Sequence, residues 1–133
     1  MVLPSWWQVA TPHRDILKGK LNEAIFAADL GDVADNNANV PIEYRDASVF
    51  FQKTYLTTGL NKLLENVLSR LAGSDGDPVI QLQTPFGGGK THALLALYHC
   101  VKSRESVSHI LPLSALPSPK ARVVVFVGTH ADP

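Results

Sequence analysis

The sequence predicts an α/β fold of layered helices and strands that is incomplete within this chain and follows an N-terminal helical segment. Three observations favour this fold class. An amphipathic helix precedes a short apolar run at residues 79–83, and a glycine cluster joins that run to a second amphipathic helix. Residues 122–128 hold five consecutive apolar side chains, as expected of a strand covered on both faces. The predicted order is helices, strand, helix, strand.

Composition and charge indicate one soluble globular domain. The 133 residues include 12 basic and 12 acidic side chains, so the formal net charge is zero. This balance argues against a polycationic surface for nucleic acid and against an acidic disordered tail. Cys100 is the only cysteine, and no secretory leader opens the sequence. The apolar stretch at residues 123–127 is far shorter than the roughly 20 residues of a membrane helix. We therefore expect a cytoplasmic protein without membrane contact.

The N-terminal part is predicted to be an arm followed by a helix. Residues 1–12 carry both tryptophans, Trp6 and Trp7, and no charged side chain. We expect the two indole rings to pack on the domain, with docking of a partner protein as the alternative. Residues 12–30 place apolar side chains at helical spacing, and Gly31 is expected to end that helix. The side chains of this stripe are Leu17, Leu21, Ala24, Ile25 and Ala28.

A loop and a short capped helix are predicted next. Residues 31–41 are rich in Asp, Asn, Ala and Gly, which favour turns through local side-chain hydrogen bonds. Asp46 can cap a helix over Ala47–Lys53, which would bury Phe50 or Phe51.

The clearest helical pattern lies between residues 60 and 71. Thr57 or Thr58 can cap this helix at its N-terminus, and Gly73 can end it. Its continuous apolar stripe, which predicts a core-facing helix, consists of Leu60, Leu63, Leu64, Val67, Leu68 and Leu71. A turn at residues 74–78 then leads into the predicted strand at residues 79–83.

The C-terminal part resumes with a helix over residues 91–102. Its 3.6-residue period runs through Leu94, Leu97, Tyr98 and Val101. Three prolines then predict irregular structure, namely Pro112, Pro117 and Pro119. The second predicted strand, at residues 122–128, follows them.

The segment between the first strand and the last helix matches the end of a phosphate-binding P-loop. Glycines can turn successive N–H groups towards a phosphate, and the following helix N-terminus adds positive potential. Lys90 would reach the β- and γ-phosphates, and the Thr91 hydroxyl would bind the Mg²⁺ that bridges them. The predicted ATP- and Mg²⁺-binding residues are Thr84, Pro85, Phe86, Gly87, Gly88, Gly89, Lys90, Thr91 and His92.

This motif is specific, although it departs from the full pattern at one position. A Gly-Gly-Gly-Lys-Thr string arises by chance in roughly one of several thousand chains of this length, at a glycine frequency of about 7%. A plain glycine connector would not account for a lysine and a threonine at the start of the helix. The full pattern has glycine where this chain has Thr84, and a Cβ there can narrow the turn.

Other candidate residues have a weaker basis. The five histidines and the single cysteine show no metal-ligand spacing. His92 and His99 are seven residues apart and so lie on one helical face, for which a surface or core-edge role is expected. Cys100 is expected to be a small buried apolar residue. Thr129 and His130 follow the second strand at its carboxyl end, where open α/β sheets bind ligands.

Several stretches of the chain resemble the large predicted ATPases of the AAA+ superfamily, a prokaryotic family of unknown function often encoded beside DNA methylases and defence genes. The matching stretches cover most of the chain and lie at residues 5–9, 12–13, 24–31, 43–46, 50–51, 54–57 and 83–92. The resemblance implies an AAA+-like three-layer P-loop NTPase fold, and it makes Thr84 the family's own form of the loop. It also implies an N-terminal arm and helical segment at residues 1–57 and the start of the NTPase domain at residues 58–133.

The same resemblance implies that this chain is the N-terminal piece of a longer protein, ending before the acidic Walker B residue. Hydrolysis of ATP is therefore expected only in the complete protein, and no residue of this chain is assigned a catalytic role. Tyr55, Leu56 and Thr57 would line the adenine pocket, with simple packing on the helix at residues 60–71 as the alternative for Tyr55 and Leu56.

Two functions from different classes remain open. The first is an ATP-binding module of a larger AAA+-type ATPase, and the second is a nucleotide-independent scaffold with a vestigial loop that binds a partner through Trp6 and Trp7. The expected partners are ATP, the remainder of the longer chain, a DNA-modification or defence system, and further copies of the protein. Because half a sheet would leave apolar edges exposed, we expect the isolated chain to be marginally stable or associated.

Overall fold

The computed structural model describes residues 3–12, 14–19, 28–85, 87–110 and 113–128, and the regular structure in these ranges is helical. The α-helices, in chain order from α1 to α8, are Trp6–Val9, Arg14–Leu17, Leu30–Ala34, Ile42–Arg45, Ala47–Lys53, Thr58–Leu71, Lys90–Lys102 and Arg104–Val107. A single 3₁₀ turn follows in the described residues at Leu113–Ala115.

The predicted α/β three-layer fold is wrong, because no β-strand is formed in the described residues. Residues 79–83 and 122–128 are without regular structure, and Val79, Val124 and Phe126 are 83%, 92% and 80% exposed. An extended segment becomes a strand only when its N–H and C=O groups pair with a neighbouring strand. Neither segment has such a neighbour within the described ranges, so the apolar patterns alone do not produce a sheet.

The core lies where α5, α6, α7 and α8 meet. Its fully buried large side chains come from each of these helices and from the 3₁₀ turn, namely Phe50, Leu64, Leu68, Leu95, His99, Cys100, Val107 and Leu113. Helices on both sides of residue 57 therefore share one core. The predicted division into residues 1–57 and 58–133 stays a prediction.

Helix α5 has the bounds and the cap that the sequence predicts. The Asp46 carboxylate accepts a hydrogen bond from the N–H of Val49 at 2.9 Å, which satisfies an amide of the first turn. Both Phe50 and Phe51 are buried, at 2% and 4% exposure. Their rings meet edge to face, with centroids 5.2 Å apart.

Helix α6 is also confirmed, with Thr57 as its N-cap. The Thr57 hydroxyl accepts from the N–H of Leu60 at 3.2 Å. Leu64 and Leu68 of the predicted stripe are fully buried, whereas Leu71 at its end is 44% exposed. Gly73, at φ +82°, lies just beyond the helix in the left-handed conformation that commonly ends helices.

Helix α7 begins at Lys90, one residue earlier than predicted, and its fully buried side chains are not those of the predicted stripe. Its fully buried residues are Leu95, Ala96, His99 and Cys100, whereas Leu94 of the predicted stripe is 42% exposed. The helix is apolar on more than one side, since Leu97, Tyr98 and Val101 of the predicted stripe also pack, partly buried, against the core and line a cavity together with residues 123–126. A single 3.6-residue period therefore does not determine which face meets the core.

The predicted helix over residues 12–30 is not continuous. Helix α2 ends at Leu17, and Gly19 adopts φ +62° in the turn that follows. Residues 20–27 lie outside the described ranges. The Asp29 carboxylate then accepts from the N–H groups of Gly31 at 2.7 Å and Asp32 at 3.3 Å, which starts α3 at Leu30. Gly31 is therefore inside a helix, and the predicted loop at residues 31–41 begins with helical turns.

The two tryptophans do not pack on the domain as expected. Trp6 is 73% exposed and Trp7 is 65% exposed. Their rings contact each other edge to face, with centroids 5.8 Å apart.

In the part of the chain that the structure describes, no helix has the length and apolar character needed to cross a membrane.

Candidate functional site

The glycine-rich loop, residues 84–89, leads directly into α7. Gly87 and Gly89 have φ of +78° and +75°, and Gly89 is the N-cap residue of the helix. Residues with a Cβ adopt this left-handed conformation at a cost of about 1–2 kcal/mol. The loop therefore needs glycine at these two positions, as the motif predicts. Phe86, a predicted site residue, lies outside the described residues.

Gly88 is required for a different reason, which is space. A Cβ at Gly88 would meet the Thr84 hydroxyl oxygen, and it would lie 2.5 Å from the Thr84 Cβ and 3.0 Å from the Pro85 carbonyl oxygen. The N–H of Gly88 donates to that same carbonyl at 3.0 Å. Thr84 thus fits where the full motif has glycine, because Gly88 leaves room for its side chain.

Lys90 folds back over the loop. Its Nζ donates to the Thr84 carbonyl oxygen at 3.2 Å, to the Thr84 Oγ1 at 3.0 Å and to the Pro85 carbonyl oxygen at 3.3 Å. Among the described residues no carboxylate pairs with Lys90. Neutral oxygens alone hold its ammonium charge, so an anion that reaches the loop can replace them with stronger, charge-assisted hydrogen bonds.

The first turn of α7 supplies further hydrogen-bond donors. The first hydrogen bond within the helix runs from the N–H of Ala93 to the Gly89 carbonyl oxygen at 2.9 Å, so the amides of Lys90, Thr91 and His92 have no acceptor within the helix, and Gly89 has no side chain to cap them. Thr91 is exposed at this turn. The helix is 13 residues long, and its positive dipole end adds to the charge of Lys90. The loop and the turn together form a cationic, donor-rich surface.

The structure places the His92 ring against α5 rather than over the loop. Its Nε2 lies 3.1 Å from the Thr54 Oγ1, whose own hydrogen is donated to the Phe50 carbonyl oxygen at 2.7 Å. Nε2 must therefore carry the proton and donate it to Thr54. The ring also contacts the Phe50 ring at a tilt of 31°, with centroids 4.7 Å apart. Burial lowers the pKa of His92 below its ordinary value of 6.5, so the ring is neutral near neutral pH.

His99 lies on the same face of α7 as His92, and its ring also contacts Phe50. Its ring is 5.2 Å from the Phe50 ring, and its Nε2 donates to the Tyr44 carbonyl oxygen at 2.8 Å. The residue is only 1% exposed, and its Nδ1 has no hydrogen-bond partner in the described part of the chain. Burial lowers the pKa of His99 below 6.5. Within the described ranges no cluster of histidine, cysteine or acidic residues could hold a metal ion.

Because the pKa values of His92 and His99 are lowered in the folded chain, we expect the protein to lose stability at acid pH. Because their folded pKa values lie below 6.5, the unfolded chain binds more protons as the pH falls below that value. The stability is fully present above pH 6.5 and is lost below it, by about 1.4 kcal/mol for each tenfold difference in proton affinity. Urea unfolding at about pH 7.5 and about pH 5.5 measures the difference.

A matched variant is His99→Gln, whose amide can still donate to the Tyr44 carbonyl while it cannot titrate. This variant should lose less stability between the two pH values than the parent does. A parent with the same free energy of unfolding at both pH values would contradict the role assigned to burial.

The candidate adenine-pocket residues directly follow Thr54, the residue that His92 contacts, but they differ in exposure. Tyr55 is 86% exposed, whereas Leu56 packs against the core and Thr57 caps α6. The contact between His92 and Thr54 brings this segment beside the first turn of α7. Leu56 thus follows the packing alternative, and Tyr55 does not. Thr129 and His130 lie outside the described residues.

Cys100 is buried, as predicted. Burial raises the pKa of its thiol to about 11, so the side chain is a neutral apolar group near neutral pH.

Sequence reasoning missed a polar cavity at the other end of α7, which Arg104 lines. The only signal for it was the spacing of basic and serine residues over 102–108 and 118–120, which is equally typical of an exposed surface.

Comparison with models of known protein families assigns the chain to one of them. The profile of the DUF499 N-terminal domain matches residues 8–116, a stretch that includes the glycine-rich loop and α7. The chain belongs to the DUF499 N-terminal domain family. This assignment confirms the resemblance as far as it placed the chain in the N-terminal part of a larger protein of that family. The matched DUF499 domain ends before residues 122–128, the second predicted strand. Neither a curated protein nor a solved structure matches this DUF499 chain.

Proposed function

We propose that the glycine-rich loop and the first turn of α7 bind the phosphates of ATP. The observation that carries this proposal is the placement of Lys90, whose Nζ lies over the loop and contacts three oxygens from Thr84 and Pro85. A phosphate displaces these contacts without moving the lysine far. The ammonium group then exchanges neutral acceptors for anionic ones, which form stronger hydrogen bonds.

The backbone around Lys90 supports the same assignment. Gly89 turns the chain through a left-handed conformation, after which the amides of Lys90, Thr91 and His92 open the helix without internal acceptors. Such amides and the helix dipole favour an anion at this end. The exposed Thr91 hydroxyl is at the position from which it can bind a Mg²⁺ ion bridging two phosphates.

The choice of ATP among phosphate compounds rests on the family resemblance. The chain is similar to predicted ATPases of the AAA+ superfamily, and the DUF499 assignment places it in the N-terminal part of a larger protein. We infer that the domain binds Mg²⁺-ATP and that hydrolysis requires groups contributed by the remainder of that protein. Positioning the attacking water and neutralising the transition-state charge both need residues besides the loop.

Two substitutions in the loop should separate by their dependence on Mg²⁺. Lys90→Ala removes a charge that acts on phosphate directly, so it should weaken ATP binding by about 1.5–3 kcal/mol with or without the metal. Thr91→Ala removes a ligand of the metal, so it should weaken binding mainly when Mg²⁺ is present. Equilibrium titration of ATP into each variant, in Mg²⁺ and in EDTA, measures both effects.

Lys62→Ala is the matched control, because Lys62 is an exposed lysine on α6. It should bind ATP as the parent does in both buffers. Equal losses for Lys90→Ala and Thr91→Ala in EDTA would contradict the role proposed for Thr91. Parental affinity in Lys90→Ala would contradict the site itself.

The exposure of the two tryptophans favours a second candidate function, a scaffold that binds a partner protein. Trp6 and Trp7 present large aromatic rings at 73% and 65% exposure, and tryptophan is enriched where proteins bind one another. This function needs no nucleotide. The ATP titration therefore distinguishes the two functions, because a scaffold with a vestigial loop shows no saturable binding of ATP.

A further inference from the structure

A polar cavity of about 720 Å³ lies at the C-terminal end of α7, between α8 and the chain at residues 118–121. The side chains that matter here are Lys102, Arg104, Ser106, Ser118 and Lys120. The volume is within the range of sites for small organic ligands and far exceeds what a single water molecule needs. The cavity is roughly 18 Å from the glycine-rich loop along the helix axis.

Arg104 is the buried cation of this cavity, at 8% exposure. Its Nη2 donates to the carbonyl oxygens of Leu113 and Leu116, each at 2.6 Å, and its Nε donates to the Ser118 Oγ at 3.0 Å. Its Nη1 is buried and has no hydrogen-bond partner among the described residues. No carboxylate in the described part of the chain pairs with the guanidinium. A buried charge without a counter-ion is destabilising, and an anion nearby relieves that cost.

The rest of the wall is also cationic and rich in donors. Lys102 and Lys120 have no hydrogen-bond or ion-pair partner among the residues that the structure describes, whereas Glu105 is the one carboxylate in the described lining. Because the Ser118 oxygen already accepts from Arg104, its hydroxyl hydrogen is free to donate to a ligand. The cavity therefore offers ammonium and hydroxyl donors around an unneutralised guanidinium.

We propose that this cavity binds the oxyanion group of a small polar molecule, a phosphate or a carboxylate. Lys102, Lys120 and the Ser118 hydroxyl contact the oxyanion, whose oxygens only accept hydrogen bonds. Arg104 acts through its charge, since Nη1 is shielded from solvent and the other donors are engaged. The size of the cavity leaves room for the remainder of a larger molecule beside the anionic group. The site is separate from the proposed ATP site.

The test uses the Lys90→Ala variant of the whole chain, in which anion binding at the glycine-rich loop is weakened. Thermal unfolding is followed in the millimolar range of inorganic phosphate, of citrate and of potassium chloride, with ionic strength matched. We expect a saturable rise in melting temperature with phosphate or with citrate and none with chloride. Stabilisation by phosphate alone identifies a phosphate ligand, and stabilisation by citrate alone identifies a carboxylate ligand.

Lys102→Ala and Lys120→Ala, each added to Lys90→Ala, leave the three hydrogen bonds of Arg104 intact. Each is expected to raise the half-saturating anion concentration at least several-fold, and Lys62→Ala in the same background is expected to leave it unchanged. Equal stabilisation by all three salts would overturn the proposal, and so would an anion effect that neither cavity lysine alters. Failure of ATP binding at the loop would leave these results unaffected, so the two proposals fail separately.

Discussion

Gly89→Val is expected to abolish the rise in melting temperature that Mg²⁺-ATP gives the parent chain. Gly89 has φ +75°, and a β-branched residue is strongly disfavoured there. Valine must either strain this conformation, at a cost of about 1–3 kcal/mol, or leave it. Where valine leaves this conformation, the amides that open α7 turn away from the proposed phosphate site, and regaining the conformation for binding costs that strain.

The fold itself should survive this substitution. The described residues of the loop are exposed, and a Cβ at Gly89 would meet no atom of a described residue within 4 Å. The free energy of unfolding without ligand should therefore fall by no more than the strain of about 1–3 kcal/mol, and by less where the loop relaxes. Circular dichroism should be unchanged, because α7 is held by its buried face.

Gly59→Val is the matched control for the glycine variant. Gly59 lies in the first turn of α6, has open space around it and does not adopt a positive φ. The same side chain there should leave the effect of ATP intact. Retention of the parental ATP effect in Gly89→Val would contradict the proposed site, and a parent without any ATP effect would favour the scaffold.

Phe50→Ala should cause the largest loss of stability, about 3–5 kcal/mol. Phe50 is 2% exposed, and its ring contacts those of Tyr44, Phe51, His92 and His99. Removing it leaves a cavity between α5 and α7 and takes away the ring that His92 contacts. Small domains are stable by only about 5–15 kcal/mol, so much of the total is lost. Urea unfolding followed by circular dichroism measures the change.

Phe126→Ala is the matched control for the core variant, because Phe126 is 80% exposed. The same truncation there should change the free energy of unfolding by less than about 0.5 kcal/mol. Similar losses in the two variants would show that residues 122–128 are held more firmly than the structure describes. A small loss in Phe50→Ala would contradict the position of the core.

The features that the sequence predicts correctly depend on near neighbours along the chain. Asp46 and Thr57 cap their helices through amides three residues away, and the apolar period of α6 places Leu64 and Leu68 in the core. The glycine-rich loop is similar, since a positive φ at Gly89 is a requirement of the local backbone. Such interactions can be derived from spacing because their partners are at fixed distances in the sequence.

The features that the sequence predicts incorrectly depend on contacts between residues that are far apart in the chain. Residues 79–83 and 122–128 have the composition of strands, yet a strand also needs a paired neighbour, and the described residues provide none. The same is true of α7, which is apolar on more than one side, so packing decides that Leu95 is buried and Leu94 is not. The local sequence pattern limits which segments can form strands and which face of a helix can be buried, but tertiary packing decides between the possibilities.

The residues of the candidate sites divide in the same way. The sequence alone points to Lys90 and Thr91 as the proposed phosphate and metal ligands, because the motif fixes their positions relative to the loop and the helix start. In the folded chain His92 contacts Thr54, and Arg104 is buried with no carboxylate partner among the described residues; both outcomes involve side chains many residues apart. The reason is physical. Hydrogen bonds within a turn follow from the order of residues, whereas burial and charge compensation depend on which distant segments come to lie side by side.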